Sequence, residues 1–463
     1  MTILNIVYVT VAVVLLFGAA VFVHEFGHYW MARRRGLKIE EFAIGFGPKI
    51  FSWTRDGVVW SWRWIPAGGF VKLPQMVTSD ALEGRAGEDA EQLPPAPPFS
   101  KILVAVAGPA MNVLFGLGLA TLLWVTGMPV QVNPPIIGYV EPNSPEAKLG
   151  IQPGDEILAV DGKPVRSWHE VQEYTILARG TNVPVVIARH GQFTNTYLLG
   201  TVLSETLGLK VLNLDPRDHP VIKRVRPGSP AEEAGLREGD EILAFAQVPV
   251  YGAEQFIKLV QKSAGETRDL VVKRDGKRVV IPVTPRLDPD ANVARIGAEI
   301  GPGRAVYRIE HIPPWTQVAV VIERTVNTFR ALIHSRETGV GLKDLSGPPG
   351  IFALLAAYVN TDWRLALSFL VLLNINLAII NMLPIPVLDG GHCLMALIER
   401  AAGRPLPARL VEYTTTGFAV LLISFMLFVS FHDVKRFSLF RSLFKQRVTI
   451  EQTEPATAPA PAP

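Results

Sequence analysis

The chain has 463 residues, 49% of them hydrophobic and 19% charged, with a mean hydropathy of +0.26. That is too apolar for an ordinary soluble enzyme and too charged for a chain lying wholly in a membrane. A net charge of +3 supplies no strong attraction for nucleic acid, and the single cysteine, Cys393, excludes an intramolecular disulfide framework. What is left is a multi-span α-helical membrane protein with inserted water-exposed domains.

Four charge-free stretches are long enough to cross a bilayer, which takes about 20 apolar residues in a helix. The first, within 1–33, reads as a retained transmembrane helix, because no basic residue precedes it and its apolar run is too long for a signal peptide. His24-Glu25-Phe26-Gly27-His28 lies at its end. Residues four apart share a helix face, so both imidazoles can reach one metal ion. Glu25, one position round, is placed to take a proton from water there. Three ionisable groups inside a span are costly, which favours function over a pair of interfacial histidines. His24 lies nine residues before Arg33, about 13 Å along a helix, so the metal is expected within the bilayer.

The loop 34–100 follows with Arg34, Arg35, Lys38, Lys49, Arg55, Arg63 and Lys72, whereas no basic residue follows the second span, 101–128, until Lys148. By the positive-inside rule the loop is cytoplasmic and the segment between spans two and three is outside. Residues 79–98, rich in acidic residues, Gly and Pro, form a linker unable to fold alone.

An internal repeat with an offset of 85 residues comes next. Val140-Glu141-Pro142-Asn143-Ser144-Pro145 precedes Gly154-Asp155-Glu156-Ile157-Leu158-Ala159, and Val225-Arg226-Pro227-Gly228-Ser229-Pro230 precedes Gly239-Asp240-Glu241-Ile242-Leu243-Ala244. Two copies of one domain are the simplest reading, over 134–215 and 220–301. Ser144 and Ser229 are expected to cap short helices that Pro145 and Pro230 begin. Asp161-Gly162 signals a tight hairpin, whereas Ala246-Gln247 in the second copy predicts a different turn. These residues resemble bacterial PDZ domains, mixed α/β modules that bind peptide segments at a sheet edge. The resemblance suggests Leu207-Gly208-Leu209 and Ile296-Gly297-Ala298 as peptide-facing loops, although these glycines serve equally well as strand turns.

Over 313–343 the residues Val318, Val321, Ile322, Thr325, Val326, Phe329 and Ile333 share one helical face, which suits a membrane surface or simple packing. The third span, 365–391, carries Asn376, Asn381, Pro384, Pro386 and Asp389. A catalytic zinc usually has three protein ligands and one open position. Odd-numbered spans run in the same direction, so Asp389, at the C-terminal end of span three, matches His24 and His28 in depth and is the expected third ligand. Asn376 and Asn381 could line a polar cavity, donating to an oxyanion or holding a substrate backbone, or could join helices to one another. The two prolines break the helix where a cavity or buried surface must accept freed carbonyls. His392 is left out of the ligand set, because a fourth protein ligand would close the site to water. The fourth span, 413–431, leads to a tail, 432–463, whose Ala/Pro end is expected to be disordered. Lys435, Arg436, Arg441, Lys445 and Arg447 disagree with the exterior position that an even span count gives this tail.

Taken together, HEFGH, the stretch from Asn381 to Gly391, the paired repeats, Gly68-Gly69-Phe70-Val71, Gly108-Pro109-Ala110-Met111-Asn112 and Ser346-Gly347-Pro348 resemble the site-2 protease family of intramembrane zinc metalloproteases. The likeness covers nearly the whole chain and is closest to the bacterial regulator-of-sigma-E protease branch. The resemblance implies one zinc ion per chain on His24, His28 and Asp389, with Glu25 as base and Asn376 and Asn381 contacting substrate. It also implies a membrane-dipping β-hairpin around Gly69 and Phe70 that pairs with an unwound substrate helix. Substrates would be single-span membrane proteins already trimmed outside, in a bacterial inner membrane, with the PDZ pair on the extracytoplasmic side. The rival readings are a membrane-anchored metalloprotease cutting water-exposed loops, a non-catalytic PDZ scaffold, and a channel or transporter.

Overall fold

The computed structural model describes residues 3–76, 94, 96–189, 191, 193–204, 209–288, 293–301, 303, 305–435 and 448–451. Most of the expected linker, Leu207-Gly208 and the Ala/Pro tail end lie outside the described residues. The chain divides into two compact units. One comprises Met1–Met128, His311–Thr325 and Leu345–Phe437, and the other Pro129–Glu310, Val326–Asp344 and Ser438–Pro463.

The first unit is built on α1 (Ile3–Arg34), α2 (Pro98–Thr126), the first part of α3 (Pro314–Ile333), α4 (Pro348–Thr361), α5 (Trp363–Asn381), α6 (Asp389–Ala402) and α7 (Ala408–Lys435). Among the described helices, α1, α2, α5 and α7 are long and apolar enough to cross a membrane. In lipid the hydrophobic effect does not hold helices together, so close packing must. Small residues supply it: Ala20, Ala32, Ala107 and Ala120 are buried, and Gly27 of α1 packs on the backbone of Ala107 in α2. At the other end of the bundle Ala120 and Leu123 of α2 join Val321 of α3 and Val371 and Ile375 of α5. The buried Asp433 of α7 accepts from the amides of Gly347 (2.8 Å) and Gly350 (2.9 Å), satisfying the N-terminus of α4. No pattern in the sequence announced α4.

The single segment expected over 365–391 is in fact two helices. Helix α5 stops at Asn381, residues 382–388 turn back, and Asp389 opens α6. Pro384 and Pro386 cause the break, since each lacks an N–H and crowds the preceding carbonyls. Short turns, Ile385 N–H to Leu383 O (2.7 Å) and Leu388 N–H to Ile385 O (2.8 Å), carry the chain across.

Between α1 and α2 lie β1 (Glu41–Arg55) and β2 (Val58–Lys72), which form a curled sheet. Residues 41–44 stand between two parts of β2, with Glu41 opposite both Val59 and Lys72 and Ile44 opposite both Trp62 and Gly69. Phe42, Val58 and Leu73 pack with Tyr29, Ala32 and Val104, which anchors the sheet to α1 and α2.

The second unit holds two similar modules. In the first, a five-stranded sheet orders Lys163–Pro164, Glu156–Val160, Asn182–Arg189, Phe193–Leu203 and Lys210–Leu212, and Ile137–Tyr139 pairs with Asp215–Pro216. In the second, Lys277–Val283, Arg268–Arg274, Glu241–Phe245, Val221–Val225 and Ala298–Gly301 lie in order, with Val248–Pro249 beside Glu241–Phe245. Ile137, Ile157 and Val185 centre one core, and Ile222, Ile242, Phe245 and Leu270 the other. Ser144 and Ser229 accept from the amides of Ala147 (3.1 Å) and Glu232 (3.3 Å), so both repeats start their short helix alike. The repeated aspartates are structural. Arg189 holds Asp155 (2.7 Å) and the carbonyl of Gly150, and Arg274, 85 residues on, holds Asp240 (2.8 Å) and the carbonyl of Gly235.

The expectation of a different turn in the second module is corrected. Ala246 and Gln247 have φ of 49° and 66°, the same left-handed pair as Asp161 and Gly162 at 51° and 74°. Pairing of Phe245 with Val248 leaves two residues to reverse the chain, and a tight hairpin of that length needs both in the left-handed region. The strain, about 1–3 kcal/mol per residue, is overridden by strands whose inner side chains fill the core.

In the tail, residues 432–435 finish α7 of the first unit, and Val448–Glu451 forms a strand beside Ala305–Glu310 in the module-bearing unit.

The modules meet at Asp215, which pairs opposite Tyr139 of the first and accepts from the amide of Gln255 in the second (3.1 Å). Burial, with Glu254 nearby, pushes this carboxyl from its ordinary 3.8 up to about 7, opposed by the Gln255 amide and Lys258. The unfolded chain releases the proton near pH 4 and the folded chain keeps it to about 7. Stability of the junction is therefore full below about pH 4 and falls as pH rises to about 7, by up to about 4 kcal/mol. Hydrogen exchange of the 213–218 and 252–256 amides, corrected for intrinsic rate, should show this slope, and Asp215→Asn should flatten it.

Candidate metal centre

His24 and His28 project from the last turns of α1, and Asp389 from the first turn of α6. Their donor atoms converge. His24 Nε2 lies 3.3 Å from Asp389 Oδ2, His28 Nε2 3.4 Å from Asp389 Oδ1, and the two Nε2 atoms are 3.1 Å apart. Donors about 2.0–2.1 Å from a tetrahedral metal stand about 3.3 Å from one another, so the triangle has the size of a zinc site. Two nitrogens and one carboxylate oxygen also match zinc chemistry. Among the described residues this trio forms the metal-competent group. All three side chains are largely buried, at 11–16% exposure.

Glu25 is buried at 9% exposure and lies beside the trio. A Cβ on Gly69 would come within 2.7 Å of Glu25 Cγ and 2.8 Å of the Ala43 carbonyl oxygen, so the β2 backbone runs directly against the glutamate. Both face a cavity of about 870 Å3 lined also by His24, His28, Phe70, Asn381, Asp389 and His392. Residues 69–73 border this cavity, as do Glu41 and residues 46–49 of β1.

Of the two asparagines, Asn381, the last residue of α5, reaches the cavity, and Asn376 is not among its lining residues. The Asn376 side-chain oxygen accepts from the Thr325 hydroxyl (2.5 Å), tying α5 to α3. Of the two roles open to Asn376, the geometry is that of a helix-to-helix bond.

Helix α2 contributes contacts that residue patterns alone did not announce. Val104 O lies 2.8 Å from His28 Nδ1, Asn112 meets His24 Nδ1 at 3.2 Å, and Gly108 has no room for a Cβ because His24 and His28 occupy the space. Lys101 makes a buried ion pair with Glu399 of α6 (2.8 Å), whose other oxygen accepts from the Leu406 amide. The available signals were the stretch Gly108-Pro109-Ala110-Met111-Asn112, already part of the resemblance, and the carboxamide of Asn112 within a charge-free span.

The profile of Peptidase family M50 matches residues 12–425. The chain is 30% identical to a "Putative zinc metalloprotease" of Vibrio cholerae, covering 92% of this chain and 98% of the relative. It is 30% identical to the "Regulator of sigma E protease" of Salmonella typhimurium and 29% identical to "Protease RseP" of Yersinia pestis, each over 94% of this chain and 100% of the relative. The spacing of donor atoms, the long apolar helices and likeness over almost the full length lead to one conclusion: the chain belongs to peptidase family M50 and is a zinc metalloendopeptidase.

Proposed function

We propose that this chain cleaves transmembrane segments of single-span proteins already trimmed outside, in the inner membrane of a bacterium. The observation that carries the reading is the position of His24, Glu25 and His28 in the last turns of an apolar helix, with Asp389 beside them, facing a cavity bordered by a β-strand. In this reading His24, His28 and Asp389 hold the zinc ion. Bound there, zinc supplies a Lewis acid that makes water a nucleophile at neutral pH. Glu25 accepts the proton of the attacking water at its carboxylate and returns it to the leaving amine nitrogen. Asn381 donates its side-chain N–H to the scissile carbonyl oxygen as negative charge gathers on it. A helical substrate hides its amides in internal hydrogen bonds and must unwind first. The 69–72 stretch, with Gly69 and Phe70 at the cavity, offers a strand for the extended segment to lie against.

The two modules are PDZ domains on the extracytoplasmic side, where they take peptide segments and restrict entry to trimmed proteins. Four spans put the tail on the side of the modules, and the pairing of Val448–Glu451 with Ala305–Glu310 supports that side against the basic residues of the tail.

Purified enzyme and a model single-span substrate test this reading. Mass spectrometry of both product ends should place the cut within the apolar span, nearer its cytoplasmic end. Replacing a Gly or Pro near the cut with Leu should slow the reaction, since these residues weaken a helix by about 1 and 3 kcal/mol. New termini in a water-exposed loop, insensitive to such changes, would establish the loop-cutting alternative instead.

A further inference from the structure

Lys101, Val104, Gly108 and Asn112 occupy one face of α2, at spacings of three, four and four residues. That face carries the bond to α6, the carbonyl facing His28, the gap filled by both imidazoles, and the amide facing His24. Asn112 is the exceptional member. It is fully buried, and its Oδ1 has no hydrogen-bond partner among the described residues. An orphaned carbonyl oxygen inside a packed helix bundle costs about 1–3 kcal/mol.

The histidine chemistry accounts for this oxygen. An imidazole that offers Nε2 to a metal carries its proton on Nδ1, and that N–H needs an acceptor. The carboxamide nitrogen beside Nδ1 cannot accept, whereas a half-turn of the amide exchanges its nitrogen and oxygen. The rotated Asn112 brings its Oδ1 to the Nδ1–H of His24, so that this oxygen is paired. His28 has the corresponding acceptor in Val104 O, so each imidazole is then held from α2 through its outer nitrogen.

We propose that Asn112 is a positioning residue of the metal centre, accepting the Nδ1–H of His24 and thereby fixing the tautomer whose Nε2 faces the metal. The proposal rests on His24 being a zinc ligand. Its specific consequence is that position 112 needs an acceptor and not merely a side chain of this volume. Asn112→Asp keeps an acceptor, whereas Asn112→Leu keeps the volume without one.

The experiment measures zinc affinity of the full chain in detergent, by competition with a chromophoric chelator, for the native protein, Asn112→Leu, Asn112→Ala, Asn112→Asp and His24→Ala. Thermal unfolding of each metal-free variant is the control for folding. Asn112→Leu should bind zinc about 10–100-fold more weakly while its metal-free form melts like the native metal-free protein. Asn112→Asp should stay close to native affinity. Native affinity in a folded Asn112→Leu or Asn112→Ala overturns the proposal, as does a loss in Asn112→Asp equal to that in Asn112→Leu. Full zinc in His24→Ala would overturn the ligand assignment itself. A loss there with native affinity in Asn112→Leu would remove only the positioning role.

Discussion

Glu25→Gln should retain zinc and lower the single-turnover cleavage rate by about two to four orders of magnitude, the range that a positioned general acid–base supplies. Glutamine has nearly the shape of glutamate, so contact with Gly69 and the fit between α1 and the β-sheet are kept. What is lost is the carboxylate that, in the proposed reading, takes and returns the proton. Glu25 lies outside the three-donor group formed by His24, His28 and Asp389, so metal content should not change. Metal analysis and cleavage of a model substrate on the same preparation check both halves. A rate within tenfold of native would remove Glu25 from the chemistry, and loss of zinc would make it part of the metal site.

Removing a donor should do the opposite. His24→Ala, His28→Ala and Asp389→Ala should each weaken zinc binding by about a hundredfold or more, if the roughly 10–16 kcal/mol typical of a four-ligand zinc site is shared among its ligands. The three variants should also lose the rise in melting temperature that added zinc gives a protein binding it only when folded. Asp389→Ala is the sharpest of the three. Asp389 reaches the site from α6 on the far side of a proline-broken turn, so its contribution depends on the backbone path through 382–388. Full zinc occupancy in Asp389→Ala would mean that the third ligand lies elsewhere, and His392, which borders the same cavity, would be the next to remove.

Features that depend on near neighbours could be read directly. Membrane crossing follows from runs of apolar residues, and the pairing of His24 with His28 from the 3.6-residue helical period. The duplicated modules were visible because each repeats the same caps and glycines at one offset. Other features depend on partners distant in the chain. His24 meets Asn112 across 88 residues, His28 meets Val104 across 76, and Lys101 meets Glu399 across 298. No local period encodes which carbonyl or amide will stand behind an imidazole, since the packing of α1 on α2 decides it. The arginines behind Asp155 and Asp240 were hidden for the same reason, each arriving from a neighbouring strand 34 residues on. At Ala246-Gln247 the local preference pointed away from the turn that strand pairing imposes. Pro384 and Pro386 announced a break in the third span, but only the folded chain shows Asp389 starting a helix of its own. Short-range periodicity thus determined which residues carry the chemistry, and long-range packing decided which groups hold them in place.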